Sequence, residues 1–177
     1  MRVVLGASEC ATTESRSVTS IMSMVDAVVR RALDSDVEAL VALRAEMFLA
    51  MRAGNATTTV WQDKAHQWFS ERVHNPAFGM FVVERNTQVV ACAMGAIRDA
   101  APSPAVPEGR DVLISNVCTL PTYRGHGHGQ RAFTAVLDWA RASGIRRAEL
   151  MATTDGQSMY EAAGFTTTKF PAMRALI

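Results

Sequence analysis

The sequence predicts an α/β (α+β) fold in which a mixed central β-sheet carries helices on both faces, about four in all. Three observations predict it. Two strand-like runs, 80–84 and 88–97, flank a tight Arg85-Asn86-Thr87 turn, which is hairpin chemistry and therefore antiparallel pairing. The second half of the chain twice alternates strand-like and helix-like runs, and crossovers of that kind join parallel strands. Ahead of the hairpin lie two stretches whose apolar residues recur at three- and four-residue steps, the period of a helix.

Taken in order, residues 1–26 are rich in Ser, Thr and Ala without sustained periodicity and are expected to form a flexible N-terminal extension to a domain spanning 27–177. The short, β-branched run 27–33 predicts the first strand, and Asp34-Ser35-Asp36 ends it. Ser35 and Glu38 have capping-box spacing, and Val37, Leu40, Val41, Met47, Phe48 and Met51 follow, so a helix is expected over 36–52 with its stop at Gly54-Asn55. Thr59 and Gln62 repeat the box before Trp61, Ala65, Trp68 and Phe69, predicting a second helix over 60–73 that Asn75-Pro76 closes. After the hairpin, Pro102, Pro104, Pro107 and Gly109 make 99–110 a loop. A strand over 111–119 comes next. The following helix carries Ala132, Phe133, Val136, Leu137 and Ala140 on one face and stops at Gly144. A strand over 147–153, a short helix over 157–163 with Asp155 as N-cap and Gly164 as its end, and a last strand over 165–175 complete the order, with Pro171 at an edge or bulge.

Composition narrows the function. A chain of 177 residues that is 49% hydrophobic suffices for one domain with a real core. Eighteen basic residues against 17 acidic ones, with no block of like charge, leave no footprint of nucleic-acid binding, so a small-molecule partner is expected. Cys10, Cys92 and Cys118 are scattered and odd in number, which suits a reducing compartment better than a disulfide framework. The apolar runs fall short of the ~18 residues a membrane helix needs. The run at Val3-Val4-Leu5-Gly6-Ala7 is shorter than a signal h-region. No membrane association and a cytoplasmic location are expected.

The stretch 113–139 carries the chemistry. An apolar strand runs through Pro121 into Arg124-Gly125-His126-Gly127-His128-Gly129, and a helix begins there. Glycines at a helix start let a ligand reach backbone N–H groups, and the helix dipole favours an anion, so a phosphorylated cofactor is implied. No Gly-Lys-Ser/Thr follows, which excludes the Walker pattern, and the loop is not in a first βα turn as a dinucleotide fingerprint requires. His126 and His128 form an H-x-H pair without a third ligand beside them, and added positive charge is disfavoured at a helix start, so no metal is expected.

This loop fits the [Gln/Arg]-x-x-Gly-x-[Gly/Ala] pattern of the GCN5-related N-acetyltransferase (GNAT) superfamily, and the chain resembles that family over 27–177. A second segment, Met159-Tyr160-Glu161-Ala162-Ala163-Gly164-Phe165, is similar to the family's Leu-Tyr-x-x-x-Gly-Phe, with Met in place of Leu. The order of elements agrees as well. The resemblance implies a sheet splayed between its fourth and fifth strands, acetyl-CoA as donor and an amine as acceptor. It assigns the backbone of Val117, Cys118 and Thr119 to the pantetheine arm. The amides of Arg124, Gly125, His126, Gly127, His128, Gly129 and Gln130 would receive the pyrophosphate, and Tyr160 would serve as general acid to the CoA thiolate. Arg124 either contacts a phosphate or braces the loop. Tyr123 is the sole alternative tyrosine. Glu46, Glu84 and Asp111 are candidates for the general base, while Ser115 and Asn116 are candidates to line the acceptor site. Direct attack in a ternary complex is favoured over an acetyl-Cys118 route, because no histidine base is placed beside that cysteine. The alternative function is a non-catalytic acyl-CoA-binding or regulatory module, and the family's habits are compatible with a homodimer.

Overall fold

The computed structural model describes residues 27–54, 58–170 and 172–175. Its elements are β1 (Ala27–Arg31), α1 (Val37–Ala50), α2 (Thr59–Ser70), β2 (Phe78–Arg85), β3 (Gln88–Asp99), β4 (Arg110–Thr119), α3 (His128–Ala142), β5 (Ala148–Leu150) and α4 (Gln157–Ala162). The strands lie in one sheet in chain order. The first four are mutually antiparallel and β5 is parallel to β4, with α3 as the crossover.

Local chemistry explains the joints. Arg85 pairs with Gln88, so the hairpin turn is only Asn86-Thr87, and both residues have positive φ (49° and 63°). That is the backbone of a two-residue hairpin whose twist matches its strands. Before α1, the expected Ser35–Glu38 box gives way to another device. Ser35 lies inside a 3₁₀ turn (Asp34–Asp36), and the carboxylate of Asp36 accepts from the Leu33 N–H at 2.8 Å. Helix α2 begins one residue earlier than the Thr59–Gln62 box implies, with Thr58 as N-cap. Asp155 sits in a 3₁₀ turn (Thr154–Gly156), and Gly156 takes the N-cap position of α4.

The sheet separates two cores. On one face α3 and α4 contribute Ala132, Phe133, Val136, Ala140 and Tyr160 against Val83, Val90, Ala91, Ala93, Val112 and Ile114. On the other, α1 and α2 contribute Val37, Leu40, Leu43 and Phe69 against Met80, Val82, Cys92, Met94 and Cys118. Neighbouring residues such as Val82 and Val83 enter opposite cores, the period-2 consequence of a strand covered on both faces.

Arginine forks tie the sheet's ends. Arg30 holds Asp36 (2.6 and 2.9 Å) and Glu84 (2.6 and 2.9 Å). Burial pushes the Asp36 carboxyl up, but Arg30 and the Leu33 N–H outweigh it and hold it below the ordinary carboxylate value. At the opposite edge Arg98 grips Asp111 through two 2.7 Å bonds and Glu149 at 2.6 Å, bridging β3, β4 and β5.

The expected last strand over 165–175 is absent among the described residues. Strand β5 is the sheet edge and only three residues long, so it offers few groups for another strand to pair with. Residues 166–170 are exposed, Phe170 at 84% and Met173 at 91%, and no buried face organises a strand there. Pro171 and the extension 1–26, including Cys10, lie outside the described residues, as does Asn55.

A glycine pair sets how closely α3 approaches. Gly79 and Gly95 are register partners on β2 and β3, and the Trp139 ring of α3 lies over them. A Cβ on Gly79 would meet that ring at 2.3 Å and one on Gly95 at 2.9 Å. Gly79→Ala is therefore expected to destabilise the fold by about 1–3 kcal/mol through overpacking. A urea midpoint equal to that of the parent would show that the helix can shift at no cost.

Candidate active site

Strand β4 is the backbone of the site. It pairs with β5 only through Val112, Leu113 and Ile114, because β5 ends at Leu150. From 115 to 119 it keeps β3 as its partner and, among the described residues, has no strand on its other edge. The sheet therefore opens between the fourth and fifth strands, leaving polar backbone on that edge open to a ligand or water.

A bulge falls in the same segment. Cys92 faces Cys118 and Met94 faces Ser115, so Ala93 opposes both Asn116 and Val117, with Asn116 at φ 55°. Asparagine tolerates the left-handed region better than most residues. The extra residue inverts the alternation of side chains. Ile114 and Val117 both pack on the α3 side although three apart, and Cys118 is sent to the α1–α2 side. Asn116 is itself 1% exposed. Its Oδ1 accepts from Arg44 Nη1 at 3.2 Å, its Nδ2 points at Cys92 Sγ at 3.4 Å, and the Cys92 thiol donates to its carbonyl at 3.2 Å.

Beyond β4 the chain makes a 3₁₀ turn (Pro121–Tyr123) and the glycine loop. Gly125 and Gly127 have φ of 78° and 74°, and Gly127 is the N-cap of α3. Gly129 allows the helix start to close on the strand end, since a Cβ there would lie 2.9 Å from Thr119 Oγ1. Arg124 donates from Nε to the Thr119 carbonyl at 3.2 Å, a bracing contact between loop and strand. His126 Nδ1 lies 2.9 Å from the Arg124 carbonyl, and its ring stacks on His128 with centroids 6.0 Å apart. His128 is buried, and among the described residues neither ring nitrogen has a partner. Burial first, then the charges of Arg131, His126 and Arg85, lowers its pKa and keeps it neutral. Among the described residues no group of three or more His, Cys, Asp or Glu side chains comes together as a metal site.

Tyr160 lies on α4, its ring 5.2 Å from Phe133 and 6.3 Å from Phe165, in the core against which Val117 packs. It is 9% exposed, and its hydroxyl has no hydrogen-bond partner among the described residues. Burial raises its pKa, so the phenol holds its proton at neutral pH. Tyr123 instead donates to Gln88 Oε1 at 3.0 Å, an exposed contact.

The acidic candidates separate. Glu84 belongs to the Arg30 fork and Asp111 to the Arg98 fork, where both serve as sheet ties. Glu46, on α1, makes no ion pair among the described residues, and its charge reaches the Cys118 thiol. That thiol is pushed up to about 11, chiefly by burial, with Arg124 opposing and Glu46 adding. Ser115 opens the segment of β4 that lacks a β5 partner, and Asn116 is committed to Arg44 and Cys92. Sequence reasoning passed over Arg44, although a charge seven residues after Val37 and four after Leu40, on the apolar stripe of α1, is a signal of a buried polar contact.

Residues 37–165 match the sequence profile described as the Acetyltransferase (GNAT) family. The chain belongs to the GNAT acetyltransferase family. Membership carries the family's general activity, acyl transfer from acetyl-CoA. Solved structures agree on the fold. A predicted acetyltransferase from Clostridium acetobutylicum, solved with acetyl-CoA, is 23% identical over 84% of this chain and 96% of its own, with a TM-score of 0.75. A GCN5-related N-acetyltransferase from Ralstonia eutropha is also 23% identical, over 84% of this chain and 98% of its own, at 0.76. Glucosamine-6-phosphate N-acetyltransferase from Arabidopsis thaliana is 17% identical, over 85% and 99%, at 0.67. No curated protein matches the GNAT chain in sequence. Among its described residues no helix is long and apolar enough to cross a membrane.

The buried His128 makes stability depend on pH. Its folded pKa lies below the unfolded value of about 6.5, so the unfolded chain takes up the proton first and stability falls as pH drops through that value. His128→Phe is expected to flatten the decline in Tm between pH 7.5 and 5.5. Parallel declines in the two proteins would remove the histidine from the effect.

Proposed function

We propose that this GNAT protein transfers the acetyl group of acetyl-CoA to a primary amine of a small molecule, by direct attack within a ternary complex. The observation that carries the proposal is the edge of β4 over 115–119, free of β5 and running straight into the glycine loop. An extended ligand arm laid along Val117, Cys118 and Thr119 would satisfy that backbone, and the N–H groups from Arg124 to Gln130 at the start of α3 suit a pyrophosphate. The tight Gly129–Thr119 approach and the left-handed Gly125 and Gly127 support this reading, since side chains there would fill the cradle.

The acceptor nitrogen bonds to the thioester carbon, and the carbon–sulfur bond breaks. A backbone N–H at Cys118 or Thr119 stabilises the oxyanion that develops, since the Leu120 N–H already donates to the Val90 carbonyl at 2.9 Å. Tyr160 gives its proton to the departing thiolate, a role suited to a phenol kept protonated by burial and without another partner among the described residues. Glu46, the acidic candidate outside the arginine forks, takes the proton that the acceptor ammonium loses before attack; the second proton leaves the acylated nitrogen to solvent, which returns one to Tyr160. A thiol held near 11 is a poor nucleophile at neutral pH, which weighs against an acetyl-cysteine intermediate on Cys118. The near-neutral protein charge and the cavity beside α1 suit a small acceptor.

Thiol release from acetyl-CoA across a panel of amines tests the activity. Tight CoA binding with no turnover on any amine would mark a sensor module instead. Tyr160→Phe is expected to lower kcat about 10²-fold with acetyl-CoA affinity preserved; unchanged turnover would take the tyrosine out of the mechanism. Cys118→Ala is expected to keep its turnover, and complete loss with the fold intact would sink direct attack.

A further inference from the structure

Helices α1 and α2 border an open cavity of about 580 Å³ lined by Arg44, Phe48, Val60, Trp61 and Lys64, among others. Its chemistry is unbalanced. Two cations line it, and among the described residues no acidic side chain does. Arg44 is half-buried and spends one Nη on Asn116 Oδ1 at 3.2 Å. Its guanidinium lies 4.9 Å from the Phe48 ring centroid. Among the described residues no carboxylate pairs with it, whereas Arg30, Arg72, Arg98, Arg141 and Arg147 each have one. Burial lowers its pKa, yet an arginine stays charged at any physiological pH. A cation taken partly out of water without a counter-ion costs free energy, and that cost is recovered when an anion enters.

The rest of the cavity describes the body of the molecule that carries the anion. Phe48 and Trp61 pack edge to face at 5.4 Å, and Val60, 67% exposed, adds an apolar wall. Arg44 also touches the bulge of β4 through Asn116, so the cavity adjoins the segment assigned above to the thioester. Glu46, two residues along α1, supplies the opposite charge toward Cys118. One side thus favours an anion and the other an ammonium.

We propose that the acceptor is a small amine that also carries an anionic group, a carboxylate or a phosphate, held by Arg44 and Lys64 with an apolar body against Phe48 and Trp61. The proposal rests on the acetyltransferase reading for the word acceptor, but the anion site stands or falls by itself. Neighbouring cationic and aromatic side chains recognise carboxylate and phosphate alike, so matched pairs of probes separate them: L-phenylalanine against phenethylamine, and phosphoethanolamine against ethanolamine.

Binding to the CoA-loaded full chain is read from tryptophan fluorescence, to which Trp61 in the cavity wall contributes, and by calorimetry. The anionic member of at least one pair is expected to bind ten-fold or more tighter than its neutral-bodied counterpart, and the pair that responds identifies the anion. Arg44→Met should abolish the difference and Arg44→Lys restore part of it. Lys64→Met, an exposed site whose loss leaves the core untouched, should reduce the difference several-fold and so tests the idea even if Arg44→Met fails to fold. Equal binding within both pairs, or a preference that survives in Lys64→Met and Arg44→Met alike, overturns the proposal. Anion-dependent binding without thiol release would uphold the anion site and refute acetyl transfer; release with uncharged-bodied amines and no preference would do the reverse.

Discussion

One inserted residue in β4 governs the site. With Asn116 in the left-handed region opposite Ala93, the alternation of side chains reverses, so Val117 joins the α3 core and Cys118 turns toward α1. The same segment leaves β5, whose three residues cannot follow a bulged strand. Without the bulge, the alternation set by Val112 and Ile114 would put Cys118 on the α3 side and Val117 on the α1–α2 side. Here the opening and the reversal coincide, and the exposed edge, the buried thiol and the helix carrying Glu46 are brought to one place.

Maintaining that bulge requires support, and the packing supplies it from both faces. Asn116 is held by Arg44 from α1 and by the Cys92 thiol beneath it, so its strained backbone is over-determined by buried hydrogen bonds. On the opposite face Trp139 presses on the Gly79–Gly95 pair and keeps α3, whose N-terminus is the glycine loop, close to the sheet. The Arg30 and Arg98 forks tie the margins. Their arginines are partly exposed, so they contribute orientation more than stability, with the bidentate Arg30–Asp36 and Arg98–Asp111 pairs the stronger parts.

Much of this was legible in the chain. The hairpin, the two helices before it and the strand–loop–helix unit are all recovered within a few residues, because each rests on local periodicity and turn chemistry. The last strand was not. A β-branched stretch such as Phe165-Thr166-Thr167-Thr168 becomes a strand only if a neighbour offers an edge, and β5 is too short to do so. The acidic candidates likewise could not be ranked in one dimension. Glu84 and Asp111 look as free as Glu46 until Arg30, 54 residues from Glu84, and Arg98, 13 from Asp111, are brought beside them.

By itself the sequence determined the mixed α/β class, the glycine loop at the start of a helix, and Tyr160 before Gly164-Phe165, since these depend on spacing along the chain and on residues whose backbone preferences are intrinsic. The tertiary structure decided what is relational: where β4 leaves β5, which face Cys118 occupies, which carboxylates are paired, and that Arg44 meets a cavity without an acidic partner among the described residues. Each of those is a long-range contact whose free energy depends on burial and on the partner across the sheet, and neither is encoded in any local stretch.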